Sequence, residues 1–202
     1  MTNSIELIKK LRQATGAGIQ DCRKALEQAD EDYGKALGNL RAMGMEKATQ
    51  RVDKPAIHGV IELYSHGNGR VGVMVEVNTE TDFTARSTIF RSFAHEIALQ
   101  IAAAAPHYVR DEDIPARVME QEAQKAASRA CEEGKPEPII ARIVEGTLKK
   151  FKDKNVLLRQ AYIRDEKVTI GQLLNQAISS VGENIIIRRF VRWELDDGAG
   201  SE

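Results

Sequence analysis

The stretch VGVMVEVNTETDFTARS, Val71 to Ser87, changes its hydrophobic period partway along, and that change decides the fold. Val71, Val73, Val75 and Val77 alternate with Gly72, Met74, Glu76 and Asn78, the period of a strand with one face buried. Gly67-Asn68-Gly69 joins this run to IHGVIELYSH, so the two read as a hairpin that starts near Ile57. After Asp82 the period becomes 3.6. Ile89/Phe90, Phe93/Ala94, Ile97/Ala98 and Ile101/Ala102 are four turns of one apolar stripe, with Arg91, His95 and Glu96 opposite. The valine face needs a cover, and this helix is the natural one. At the junction a large aromatic, Phe83, stands between an acid and a hydroxyl. Two readings of it are open. In the first, which the residues alone favour, Asp82 caps the helix and Phe83 turns into the core as a staple. In the second, Phe83 projects as a wedge into another molecule.

On the N-terminal side, Ile5, Ile8 and Leu11 recur at helical spacing until Thr15-Gly16-Ala17-Gly18 breaks the pattern. Ile19, Cys22, Leu26 and Ala29 form a second stripe, and Tyr33, Ala36, Leu37, Leu40 and Met43 a third after the acidic break DED. Residues 1–45 therefore read as a three-helix bundle, and 46–55, EKATQRVDKP, as a helical linker that ends before Pro55. On the C-terminal side Pro106 ends the covering helix. Further helical patterns follow in IPARVMEQEAQKAASRACEEG, in PIIARIVEGTLKKF, and from Ile170 to Val181 before Gly182. A last strand places Ile185, Ile187, Val191, Trp193 and Leu195 against Arg188, Arg192 and Glu194. The expected fold is α+β, with residues 56–195 forming a core whose three-stranded antiparallel sheet packs on helices. One sheet face needs water or a partner. The tail 196–202, DDGAGSE, is expected to be disordered.

Composition removes several function classes. The 202-residue chain carries a formal net charge of -1, and its pI is about 6.5, so the whole-chain basic footprint of a nucleic-acid binder is missing. Cys22 and Cys131 have no CxxC spacing and read as free thiols in a reducing compartment. No apolar run has the length of a signal peptide's core or of a membrane span. A soluble, cytoplasmic protein is expected.

Motifs for catalysis fail one by one. His95-Glu96 would open an HExxH zinc site, but position 99 is Leu99. TGAG follows a helix rather than a strand and lacks the lysine and hydroxyl of a phosphate loop, so it is no nucleotide site. No GxSxG is present, and neither cysteine has an evident histidine partner. No metal or cofactor is expected, and the protein is not expected to be an enzyme. A small-molecule enzyme built on the acid pair Glu80 and Asp82 stays open as a rival. So does a generic interaction module whose bundle binds ubiquitin-like or chaperone partners.

Four ordered segments resemble the elongation factor Ts family, the guanine-nucleotide exchange factors of the bacterial translation factor Tu. LRQATGAGIQDCRKALEQA is similar to the family's N-terminal signature, VNTETDFTAR to its TDFVAR motif, and GKPEPIIARIVEGTLKKF and VGENIIIRRF to two later segments. The resemblance runs from about Ile5 to Leu195. It implies a ubiquitin-associated-like N-terminal three-helix domain and an α+β core. It also implies an activity, the release of GDP during translation elongation, through binding of elongation factor Tu in its GDP-bound or nucleotide-free state. Carried over residue by residue, Thr81, Asp82, Phe83 and Thr84 would press on the partner near its magnesium and phosphate site, while Leu11, Arg12, Thr15, Gly16, Gly18, Ile19 and Gln20 would dock on the same domain.

The chain departs from the pattern in places. Thr84 stands where the family usually has valine, Gln20 where a second methionine is common, and Gln100 where a histidine is frequent. VGENIIIRRF runs straight into the last strand, as in short family members, so a homodimer is expected to cover the open sheet face. Val191 replaces a cysteine found in some short forms, and no intersubunit disulfide is expected there. Direct contact with nucleic acid or membrane is not expected.

Overall fold

The structure, a computed structural model, describes residues 2–195. The tail 196–202 lies outside the described residues. Among the described residues, 2–102 with 172–195 form one compact unit, and 103–171 a second.

The first unit opens with three helices, α1 (Thr2–Thr15), α2 (Ile19–Gln28) and α3 (Tyr33–Arg51). Ala17 of the α1–α2 turn joins a small shared core that the helices build from Leu11, Cys22, Ala25, Leu26, Ala29, Ala36 and Leu40. Four of these seven are alanine or cysteine-sized neighbours at helical spacing, which lets the helices approach closely. Burial also raises the Cys22 thiol above its ordinary pKa, so it behaves as a packing residue. Gly16 ends α1 at φ +67, a left-handed position that glycine adopts without penalty. Asp32 caps α3 by accepting from the Lys35 amide at 3.0 Å. Beyond Met43 the helix runs unbroken to Arg51.

The hairpin is β1 (His58–His66) and β2 (Val71–Thr79); β5 (Ile185–Glu194) returns from the far end to pair with the other edge of β2. The sheet is three-stranded and antiparallel, as the sequence predicts, and its strand order is β1-β2-β5. All four alternating valines of β2 are buried, each contributing about 1.5–3 kcal/mol. Their cover is α5 (Thr88–Ala104), with Phe90, Phe93, Ala94, Ile97, Ala98 and Ile101 inward. Polar ties at both edges hold it in place. His95 Nδ1 lies 2.9 Å from Glu62 Oε1 on β1, and Arg192 on β5 donates to the Ala102 carbonyl at 3.2 Å.

The last strand corrects the sequence reading. Ile185 and Ile187 are buried as expected, but Trp193 and Leu195 are exposed. Between Glu76 and Val77 the register of the β2–β5 pair shifts: Val77 faces Ile187, whereas Glu76 faces Arg189. Arg188 is the extra residue. A bulge of one residue inverts every side chain beyond it, so Phe190 and Arg192 join the valine face and Val191 and Trp193 go outside with Met74.

The second unit contains α6 (Ala116–Glu132) and α7 (Glu137–Asn155), which pack on each other, and a small sheet of β3 (Ala161–Tyr162) and β4 (Asp165–Thr169). This two-stranded sheet was not legible in the sequence, because its strands are short and Asp165, Glu166 and Lys167 mask any alternation. Buried Gln160 braces the unit, donating to the carbonyls of Lys154 at 2.7 Å and Ala104 at 3.3 Å. A final helix, α8 (Ile170–Val181), begins where the Ile170 amide bonds the Gln160 carbonyl. It ends at Gly182, φ +73.

Candidate functional site

Strand β2 ends at Thr79, and after two intervening residues a five-residue helix begins, α4 (Asp82–Arg86). Thr81, not Asp82, is its cap. Thr81 has the extended backbone a capping residue needs (φ -126, ψ 157), and its hydroxyl accepts from the Thr84 amide at 3.3 Å. Asp82 sits one residue inside the helix, where its carboxylate pairs with Arg86 at 2.8 Å on the exposed surface.

Phe83 is 82% exposed. The staple expectation is therefore overturned, and geometry gives the reason. Thr84 and Ala85 are the residues α4 buries; with about 100° of rotation per residue, Phe83 is carried round to the outer side. After Arg86 the chain becomes extended at Ser87 (φ -65, ψ 147), and the Ser87 hydroxyl accepts from the Phe90 amide to start α5. The apolar stripe from Ile89 to Ala102 thus lies wholly in α5, and Phe83 belongs to a separate short helix before the break.

The turn that presents Phe83 is braced from the far end of the chain. Glu183 Oε2 accepts from the Thr81 amide at 3.0 Å and the Thr79 hydroxyl at 3.1 Å, and its Oε1 from the Thr81 hydroxyl at 2.7 Å. Beside it, the Asn184 amide donates to Glu80 Oε1 at 2.6 Å, and Arg51 Nη1 contacts both Glu80 oxygens at 3.1 and 3.2 Å. Asn184 Nδ2 donates to the carbonyls of Lys54 at 2.8 Å and Val52 at 3.4 Å. Glu80 and Asp82 are thus held by different partners, one by Arg51 and Asn184 and the other by Arg86. Among the described residues no group of three or more His, Cys, Asp or Glu is placed to hold a metal.

Burial pushes the Glu183 carboxyl up, but donation from the Thr81 and Thr84 hydroxyls, the Thr81 amide and the Thr79 hydroxyl outweighs it and leaves the pKa lowered. A folded-state pKa below the unfolded one adds stability that is present above the ordinary glutamate range and is lost as pH falls through the lowered value. Glu183→Gln is therefore expected to melt at a lower temperature than the parent at pH 7. The gap should close as the pH drops below about 4, in thermal melts taken from pH 7 to 3; a gap that does not change with pH would count against ionisation as its source.

The N-terminal candidates divide by burial. Leu11 and Thr15 lie inside the bundle, where the Thr15 hydroxyl donates to the Leu11 carbonyl at 2.7 Å and accepts from the Ala17 amide at 3.3 Å. Arg12, Gly16, Gly18, Ile19 and Gln20 are exposed. Gly16 abuts α8 so closely that a Cβ would come 2.0 Å from Ser180 Oγ. The segment from Ser180 to Asn184 therefore touches the TGAG turn, the TDF turn and the end of the bundle's exit. Sequence reasoning missed this role for Glu183 and Asn184. Their signal was an acid and an amide directly after a helix-ending glycine, and neither residue's partners are near in sequence.

A family model described as elongation factor TS matches residues 5–197. An elongation factor Ts of Caldanaerobacter subterraneus subsp. tengcongensis is 49% identical over 195 residues, covering 96% of this chain and 98% of that protein. One from Carboxydothermus hydrogenoformans is 48% identical over 96% of this chain and 89% of its own length. One from Coprothermobacter proteolyticus is 48% identical over 98% of this chain and 100% of its own length.

Proposed function

The chain belongs to the elongation factor Ts family, and from that premise we propose that it binds elongation factor Tu and releases GDP from it as a guanine-nucleotide exchange factor. The observation that carries this reading is the exposed Phe83 on a braced turn. An aromatic ring left in water adds nothing to folding, so its worth lies in area offered to another molecule. No covalent chemistry is needed. GDP on the partner is held by phosphate contacts and a magnesium ion, and a wedge that displaces those ligands raises the off-rate about tenfold for each 1.4 kcal/mol taken from the bound state. By linkage, incoming nucleotide drives the exchange factor off. Asp82, held by Arg86, lies beside the ring and meets polar groups of the partner; Thr81 and Thr84 shape the turn.

In this reading residues 1–45 act as a separate docking domain that contacts the same partner through Arg12, Gly18, Ile19 and Gln20, and 46–55 link it to the core. The setting is the cytoplasm, where translation takes place. The assay is release of a fluorescent GDP from purified elongation factor Tu. Acceleration proportional to added protein supports exchange; an unchanged spontaneous rate means a binding module without exchange activity.

A second copy of the chain is the proposed cover for the open sheet face. There Ile61, Leu63, Met74 and Trp193 are exposed together, Trp193 at 76%, and adjacent Glu76 and Arg189 pair at 2.8 Å. A patch of one tryptophan and three aliphatic side chains on one flat face suits a self-complementary two-fold contact. Trp193→Glu is expected to convert a dimer to a monomer in sedimentation equilibrium, with dimer affinity down roughly 30-fold or more. A wild-type monomer at high concentration would remove the proposal.

A further inference from the structure

Helix α4 spans five residues and cannot hold its own direction, because so short a helix makes too few internal bonds. Its ties along the chain are local: the Ala85 amide reaches the Thr81 carbonyl at 3.2 Å, the Ser87 amide the Thr84 carbonyl at 2.9 Å, Arg91 Nε the Ala85 carbonyl at 3.2 Å, and Asp82 pairs with Arg86 at 2.8 Å. What aims Phe83 must come from elsewhere in the fold. We propose that Glu183 is a positioning residue for Phe83, its carboxylate drawing Thr79 and Thr81 onto one point and so fixing the direction in which the exposed ring leaves the sheet. The proposal rests on the exchange reading.

The connection is continuous. The Thr81 hydroxyl donates to Glu183 Oε1, and this orients its lone pairs toward the Thr84 amide, the first turn of the helix that bears Phe83. A charged acceptor polarises the hydroxyl and strengthens the second bond. The neighbouring residue works in the opposite sense: Glu80 accepts from the Asn184 amide while Glu183 accepts from the Thr81 amide. Two dipeptides thereby clasp each other, each supplying a carboxylate to the other's backbone. The hydroxyl of Thr84, at the position where the family motif carries valine, adds another donor that lowers the Glu183 pKa.

The test is stopped-flow release of fluorescent GDP from elongation factor Tu, titrated with wild type, Glu183→Gln, Phe83→Ala and the double variant. Glu183→Gln, which removes the charge and leaves one accepting oxygen, is expected to lower the maximal release rate about tenfold, with the half-saturating concentration within about twofold of wild type. In the Phe83→Ala background it should change nothing further, because a residue that acts only through the ring has nothing left to act on. An equal loss in both backgrounds, or an unchanged maximal rate, overturns the proposal. Thr79→Val, which removes one donor and keeps the side-chain shape, is expected to move the rate the same way by about threefold and serves if Glu183→Gln does not fold. The Thr81 amide should exchange its hydrogen at least about tenfold more slowly in wild type than in Glu183→Gln; equal exchange also overturns the clasp. Wild-type protein that releases no GDP while Thr81 stays protected would instead overturn the exchange reading and leave the clasp as structure alone.

Discussion

Phe83→Ala is expected to bring GDP release from elongation factor Tu close to its spontaneous rate while the protein melts where wild type does. Truncating an aromatic anchor at an interface costs about 2–4 kcal/mol or more, which is roughly 30-fold to 1000-fold in the accelerated rate. Stability should not follow, because the ring is 82% exposed and folding buries little of it. The cap at Thr81, its bonds to Glu183 and the buried side chains of Thr84 and Ala85 all remain in the variant. The two readouts are the fluorescent-nucleotide assay and a thermal melt on the same preparation. A variant that releases GDP as fast as wild type would dismiss the wedge; a variant that loses activity only because it unfolds would mean that the ring packs somewhere after all.

The largest effect on stability is expected from Gly59→Ala, a substitution remote from the turn. Gly59 sits in β1 opposite Asn78 with φ +156, a conformation that residues with a Cβ rarely adopt. A Cβ there would lie 2.1 Å from the Val77 carbonyl oxygen, 2.8 Å from Asn78 Cα and 3.0 Å from the Val77 carbonyl carbon. All three are backbone atoms of the central strand, so no flexible side chain can yield and the edge strand must move out. Backbone strain and overpacking each cost about 1–3 kcal/mol, and together they should lower the melting temperature by roughly 10 °C in a chain of this size. Gly72→Ala is the matched comparison, since nothing lies within 4 Å of its Cβ position. It should melt close to the parent. Equal melting of the two variants would show that β1 can shift freely at Gly59.

Both effects start from local chemistry that a sequence displays unevenly. Its hydrophobic periods determined the element types: four valines in alternation made β2 and its buried face, and the 3.6-residue stripe made α5. The glycines of the TGAG turn and of the hairpin marked where elements stop, because φ above zero is a local property of the chain. The ordered motifs likewise marked the family. Which way Phe83 faces could not be read this way. An acid, an aromatic and a hydroxyl at a helix start fit an inward staple as well as an outward wedge, and the outcome turned on Thr81 being the cap, which rotates Thr84 inward and Phe83 outward. The same holds for Trp193. Its alternation with the isoleucines of β5 was real, but one extra residue at Arg188 inverts the faces, and a bulge depends on pairing with β2 rather than on the strand's own sequence. Glu183 and Asn184 are the extreme case, with hydrogen-bond partners more than 100 residues away. Periodicity reports only what neighbours in the chain do to one another; the bracing of the turn is a meeting of distant segments, and only the tertiary structure decided it.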